Sequence, residues 1–131
     1  MGAAQRRRNA ICAGRFFRCY EEFAGAGYRV FVTGTHPTTS DTRHLTDPKT
    51  RDCVYGTAER RNRISCEWNA ELARLSSKAG FPFVGIYDGL VDDDGMARME
   101  LYDDYCHVRE EVAAGLLGAR LGAALPPQGN A

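Results

Sequence analysis

The chain has 131 residues, 44% of them hydrophobic and 26% charged, the balance of one small globular domain with a single core. Lysine plus arginine and aspartate plus glutamate both number 17, so the formal net charge is zero and nothing in it favours nucleic acid or an anionic membrane surface as a partner. No apolar run approaches the roughly 18 residues of a membrane span, and Arg15 and Arg18 interrupt any apolar stretch after Arg6-Arg7-Arg8, which argues against a secretory signal and for a cytoplasmic protein.

Residues 1–12 are polar, basic and small, and are expected to fray. From Ala13 to Ala24 the apolar positions Phe16, Cys19, Tyr20 and Phe23 recur at three and four, one face of a helix, and Gly25 and Gly27 supply its stop. Tyr28-Arg29-Val30-Phe31-Val32-Thr33 is rich in β-branched and aromatic residues and reads as a strand that ends in Gly34-Thr35-His36-Pro37. Residues 38–57 form a long polar loop carrying Asp41, Arg43, His44, Asp47 and Pro48. It is either a functional loop leaving the C-terminal end of a strand, where open α/β sheets place ligands, or a surface excursion.

The longest helical pattern runs from Ala58 to Ala79, with Ile64, Trp68, Leu72, Leu75 and Ala79 on its buried face and Arg60, Arg61, Arg63, Glu67 and Glu71 as a solvated one. Gly80 closes it, and Phe81-Pro82-Phe83-Val84-Gly85-Ile86-Tyr87 forms a second strand, with Pro82 tolerated near its start. Helix, glycine, strand thus occurs twice, the return half of an α/β crossover. The spacing predicts residues 28–34 and 81–87 as neighbouring parallel strands joined by a right-handed crossover. Asp92-Asp93-Asp94-Gly95 reads as a tight turn, since the spacing and closing glutamate of a calcium loop are missing. Met96 to Leu101 is irregular or briefly extended. A last helix starts near Arg109 and runs to about Leu121, burying Val112, Leu116 and Ala119, with Leu117 and Leu121 widening that face. Glu110 and Glu111 suit its first turn. Residues 126–131 are expected to fray. No internal repeat and no second domain is visible, so residues 1–131 read as one α/β domain.

Cys12, Cys19, Cys53, Cys66 and Cys106 are odd in number and contain no Cys-x-x-Cys pair, which suits reduced, mostly buried thiols better than a disulfide framework. A zinc set of His36, His44, Cys53 and Cys66 has no recognised ligand spacing, and no metal is expected.

The chemically suggestive stretch is Tyr102-Asp103-Asp104-Tyr105-Cys106-His107-Val108. Asp104 stands three residues before His107, so a short loop can bring carboxylate and imidazole side by side. A carboxylate there accepts the Nδ1 proton and leaves Nε2 to act as a base toward a hydroxyl. Taken alone, Asp-x-x-His is equally an incidental histidine in an acid-rich surface loop.

The order of these motifs resembles the C-terminal half of an SGNH/GDSL-type hydrolase. A strand ends in Thr33-Gly34-Thr35-His36-Pro37, a helix carries Glu67-Trp68-Asn69-Ala70-Glu71-Leu72, then come Phe-Val-Gly-Ile-Tyr-Asp, an Asp-Asp-Gly turn and Tyr-x-Asp-x-x-His before a terminal helix. The resemblance covers about residues 14–124 and is most specific from Trp68 to His107. It implies a partial flavodoxin-like three-layer α/β fold with a short parallel sheet and the N-terminal strands missing. It also implies an ester hydrolase acting on carboxylic esters or O-acetyl groups of an acylated small molecule or glycan, without a cofactor. His107 would be general base and then acid, and Asp104 its orienting carboxylate.

The departures matter as much. The family's nucleophilic serine lies in a Gly-Asp-Ser block and one oxyanion donor in a Gly-x-Asn-Asp block, and neither occurs here. Ser65, Ser76 and Ser77 fall within the long helix, leaving Ser40 in the polar loop as the one conceivable substitute. After His107 stand Val108 and Arg109 in place of a capping residue. The sequence therefore reads as the Asp–His part of a triad without its nucleophile, inactive alone and truncated relative to the family. The alternatives are a non-catalytic α/β binding or interaction module, or a metal-dependent hydrolase using His36, His44 and His107. An incomplete sheet would also leave an edge at 28–34 through which chains self-associate.

Overall fold

A computed structural model describes residues 15, 17–39, 56–104 and 107–125. Its elements follow the expected α/β alternation. A first helix, α1, covers 17–25, and strand β1 is Val32–Thr33. Helix α2 runs Ala58–Ala79 and leads to strand β2, Phe83–Val84. Single turns of 3-10 helix at Tyr87–Leu90 and Met99–Leu101 precede the last helix, α3, Glu110–Ala124. Strands β1 and β2 pair in parallel, Val32 opposite Phe83 and Thr33 opposite Val84, with α2 between them in sequence. The chain is therefore α/β with a short parallel sheet.

Local chemistry sets the ends of α2. Thr57 caps the first turn, its hydroxyl accepting from the Arg60 amide, and Glu59 sits where the helix dipole favours an anion. Gly80 ends the helix at φ +76°, a left-handed conformation that costs glycine little, and its N–H returns to the carbonyls of Ser76 and Ser77. The chain turns directly into β2, where the Pro82 carbonyl accepts from the Val32 amide at 2.9 Å. A proline lacks a ladder donor yet still contributes this acceptor.

Phe17, Val32 and Leu72 form the centre of the core, and Tyr20, Trp68, Leu75, Ala79, Phe81 and Phe83 pack around them. Phe17 meets Tyr20 edge-on at 5.4 Å and stacks on Phe81 at 6.3 Å. Burial of such side chains is the main favourable contribution to a fold of this size.

Several sequence expectations need correction. Both strands are shorter than expected, since only two residues of each enter the ladder. In α1 the inward residue is Phe17, while Cys19 is exposed and Phe23 is 57% exposed, sharing an edge-on contact with Tyr28. The Phe16 side chain lies outside the described residues. The buried stripe of α2 is Ala58, Asn62, Asn69, Leu72 and Ser76, rotated from the apolar one, so Ile64 is exposed. Arg61 is no solvated charge, because loop carbonyls and a hydroxyl engage its guanidinium. Helix α3 starts at Glu110 and ends at Ala124, with Ala119 exposed. Cys66 as well as Cys19 is exposed, while Cys12, Cys53 and Cys106 lie outside the described residues. Residues 92–95 do form a turn, with Gly95 at φ +75° and Asp92 Oδ1 accepting from the amides of Asp94 and Met96.

Candidate functional site

The segment leaving β1, Gly34 to Thr39, is held by side chains of α2. Asn69 projects its amide at Thr35. Its Oδ1 accepts from the Thr35 N–H at 2.8 Å and the Thr35 hydroxyl at 3.1 Å, and its Nδ2 donates to the Thr35 carbonyl at 2.8 Å. One helical heptad earlier, Asn62 Oδ1 accepts from the Thr38 N–H at 2.8 Å. Arg61 adds bonds to Thr38 Oγ1 at 3.1 Å and to the carbonyls of Thr39 and Gly56 at 3.2 and 2.7 Å. A loop has no ladder to satisfy its backbone, so side-chain amides supply the partners. Gly34 permits the close approach, since a Cβ there would stand 2.7 Å from Asn69 Oδ1 and 3.0 Å from Phe83 Cζ.

A short hairpin rests on this segment from the other side. Tyr102 and Val108 form an antiparallel bridge, the Asp103 N–H donates to the His107 carbonyl at 2.9 Å, and the Arg109 N–H donates to the Leu101 carbonyl at 3.0 Å. Tyr102 is 4% exposed, and its hydroxyl donates to the Pro37 carbonyl at 2.7 Å. Burial, reinforced by the nearby Tyr87, pushes the Tyr102 phenol far above its ordinary value, so it stays protonated and a donor. The ring of His36 lies 6.4 Å from that of Tyr102, tilted by 48°.

At the tip of the hairpin Asp104 and His107 meet. Asp104 Oδ2 is 2.6 Å from His107 Nδ1, and Asp104 Oδ1 accepts from the His107 backbone N–H at 2.8 Å. The carboxylate thus holds both ring and main chain of the same residue, which orients the imidazole through the loop as well as directly. The His107 side chain is 74% exposed and that of Asp104 40%. With Nδ1–H directed at the carboxylate, Nε2 takes the basic role in the neutral ring.

Of the other sequence candidates, Ser40 and His44 lie outside the described residues. Ser76 is fully buried in α2, so its hydroxyl is not open to a substrate. Among the described residues no cluster of three or more His, Cys, Asp or Glu could hold a metal ion. A groove of about 590 Å³ between α2 and α3 is lined by Cys66, Ala70, Ala73, Phe83, Tyr87 and Arg120, and neither Asp104 nor His107 borders it. The Asp104–His107 contact lies at the hairpin, apart from this concavity. Residue patterns alone did not mark Asn62 or Arg61 as holding the segment leaving β1, and they placed Tyr102 in the suggestive stretch without its bond to Pro37. Two asparagines seven apart on a helix are the signal that could have flagged the first, since amides at that spacing share one face.

The fold has known counterparts. The chain superposes on a candidate platelet activating factor from Streptococcus pneumonia with a TM-score of 0.65 and 18% identity, covering 90% of this chain and 52% of that one. It also superposes on a candidate acylhydrolase from Bacteroides fragilis with a TM-score of 0.62 and 17% identity, covering 88% of this chain and 50% of that one. No family model matches the sequence, and no curated protein matches it. The α/β architecture is shared with these two structures, and the chain spans about half the length of each. No helix among the described residues is long and apolar enough to cross a membrane.

Proposed function

We propose that this chain is the Asp–His portion of an SGNH/GDSL-type ester hydrolase, corresponding to the C-terminal half of that fold. Its substrates are carboxylic esters or O-acetyl groups on a small molecule or glycan. The observation that carries the reading is the 2.6 Å contact between Asp104 Oδ2 and His107 Nδ1, in a hairpin beside the segment leaving β1. The likeness to the two solved structures, one of them a candidate acylhydrolase, supports it at the level of fold.

In this reading His107 Nε2 takes a proton from a serine hydroxyl as that oxygen attacks the acyl carbonyl. It returns the proton to the leaving alcohol. Asp104 fixes the tautomer and stabilises the imidazolium formed in between. The sequence has no Gly-Asp-Ser and no Gly-x-Asn-Asp. Loss of a single oxyanion donor costs on the order of 10²–10³ in rate, and loss of the nucleophile costs more. The chain by itself is therefore inactive.

Two measurements test this. Hydrolysis of short-chain aryl acetates by the purified chain is expected to equal that of His107→Ala. Turnover that vanishes in Ser40→Ala would overturn the assignment by revealing a nucleophile within the chain. A two-bond ¹H–¹⁵N spectrum at mildly alkaline pH is expected to show His107 protonated at Nδ1, and a mixed pattern in Asp104→Asn. His107 protonated at Nε2 in the unsubstituted chain would make Asp-x-x-His incidental and leave a non-catalytic α/β module.

A further inference from the structure

The Asp104–His107 pair is exposed, and a contact so open to water adds little to the stability of the hairpin that carries it. Something else must place the hairpin. Within 102–109 the buried side chain, among the described residues, is Tyr102. Its hydroxyl reaches Pro37, at the middle of the stretch whose two ends, Thr35 and Thr38, are gripped by Asn69 and Asn62. From Tyr102 the backbone continues through the Val108 bridge and the Asp103–His107 hydrogen bond to the pair itself. The bonds form one unbroken route from the buried face of α2 to the imidazole.

Building on the reading of Asp104 and His107 as a dyad, we infer that Tyr102 is a positioning residue for it, and that Asn62 and Asn69 hold the bed on which Tyr102 registers. The hydroxyl contributes the registration: a phenylalanine would fill the same volume with no bond to Pro37. A phenol is protonated throughout the range in which a neutral imidazole works as a base, and burial extends that state further upward, so the donor persists. Asn69 contributes from the far end, where its amide fixes both the N–H and the C=O of Thr35. Any slack in the bed passes to the hairpin, since Tyr102 rests on Pro37, two residues on.

The test reads the Nδ1-bound proton of His107, assigned as the downfield ring signal that Asp104→Asn abolishes. Tyr102→Phe is expected to broaden or remove that signal while far-UV circular dichroism and the amide signals of Val32 and Val84 stay as in the unsubstituted chain. The signal persisting unchanged in folded Tyr102→Phe would overturn the inference and leave the dyad intact. Asp104→Asn altering nothing would instead remove the dyad. The unsubstituted chain gives a second reading that needs no variant. Native-state hydrogen exchange should show the Asp103 and Thr35 amides opening together, with the same denaturant dependence. An Asp103 amide that exchanges far ahead of Thr35 would also overturn the inference.

Discussion

Asn69 does for Thr35 what a neighbouring strand does for a residue in a sheet: one amide accepts from its N–H and donates to its carbonyl. Truncation to alanine removes both bonds, and because Thr35 itself is exposed its backbone groups turn to water instead, so Asn69→Ala should cost about 0.5–1.5 kcal/mol. Gly34→Ala attacks the same contact from the other side. Its methyl would stand 2.7 Å from Asn69 Oδ1, and the oxygen is pinned by two bonds to Thr35. Overpacking of that kind typically costs about 1–3 kcal/mol. Denaturant midpoints should show each loss, and the double variant should lose much less than the sum, because both remove one interaction. Tyr102 predicts a pH effect. Its phenol is held above its ordinary value first by burial and then by Tyr87, so the folded state keeps a proton that the unfolded chain releases near pH 10. Stability from this group is present below that pH and is lost as pH rises beyond it. Midpoints measured from pH 8 to 11 should fall more steeply in the unsubstituted chain than in Tyr102→Phe. An identical fall in both would remove Tyr102 as the cause.

At the scale of elements, α2 was the most legible part of the chain. Its ends at Ala58 and Ala79 follow from Thr57 and Gly80, and the helix-glycine-strand pattern yields the parallel pairing of Val32–Thr33 with Phe83–Val84. Gly80→Ala should cost about 1–2 kcal/mol, because a side chain is strained at φ +76°. An unchanged midpoint would mean that the turn re-forms with another geometry. The face that α2 buries was not legible, for a physical reason. Periodicity follows apolar side chains, whereas this helix packs against an irregular segment whose backbone needs partners. Asn62 and Asn69 therefore displace Ile64 from the interior. In α1 the apolar spacing pointed to Phe16 and passed over Phe17, which is the residue seen on Val32 and Leu72, while the Phe16 side chain lies outside the described residues. The Asp104–His107 contact was readable because it spans three residues. The support from Tyr102 to Pro37 was not, because those residues are 65 apart in sequence.

For the molecule as a whole, the sheet consists of two strands of two residues each among the described residues. Among the described residues the central cluster is likewise small, with Phe17, Val32 and Leu72 buried and six neighbours partly so. A short sheet and a core of this size give a thin margin of stability. Aromatic surface is left outside as well, with Phe23 57% and Tyr28 67% exposed on the approach to β1. Exposed apolar surface beside a sheet edge recruits further chains. Static light scattering at micromolar concentration should therefore report species larger than 14.5 kDa. A monodisperse monomer with a sharp, reversible thermal transition would rule this out.

The polar stripe of α2 has one more consequence, for uniqueness. Asn62, Asn69 and Ser76 recur every seven residues along its buried side, with Asn62 Nδ2 and Ser76 Oγ having no hydrogen-bond partner among the described residues. Oily contacts are indifferent to a small slide of one element over another, whereas an amide aimed at a particular peptide group is not. Shifting α2 by one turn would retain much of its apolar contact but forfeit the bonds to Thr35 and Thr38, so the asparagines act as a ratchet that admits one register. Changing both asparagines to leucine should separate robustness from definition. The collapsed chain would resist denaturant comparably, but its near-UV circular dichroism would flatten and its amide spectrum lose dispersion, as helix and loop settle into several alignments.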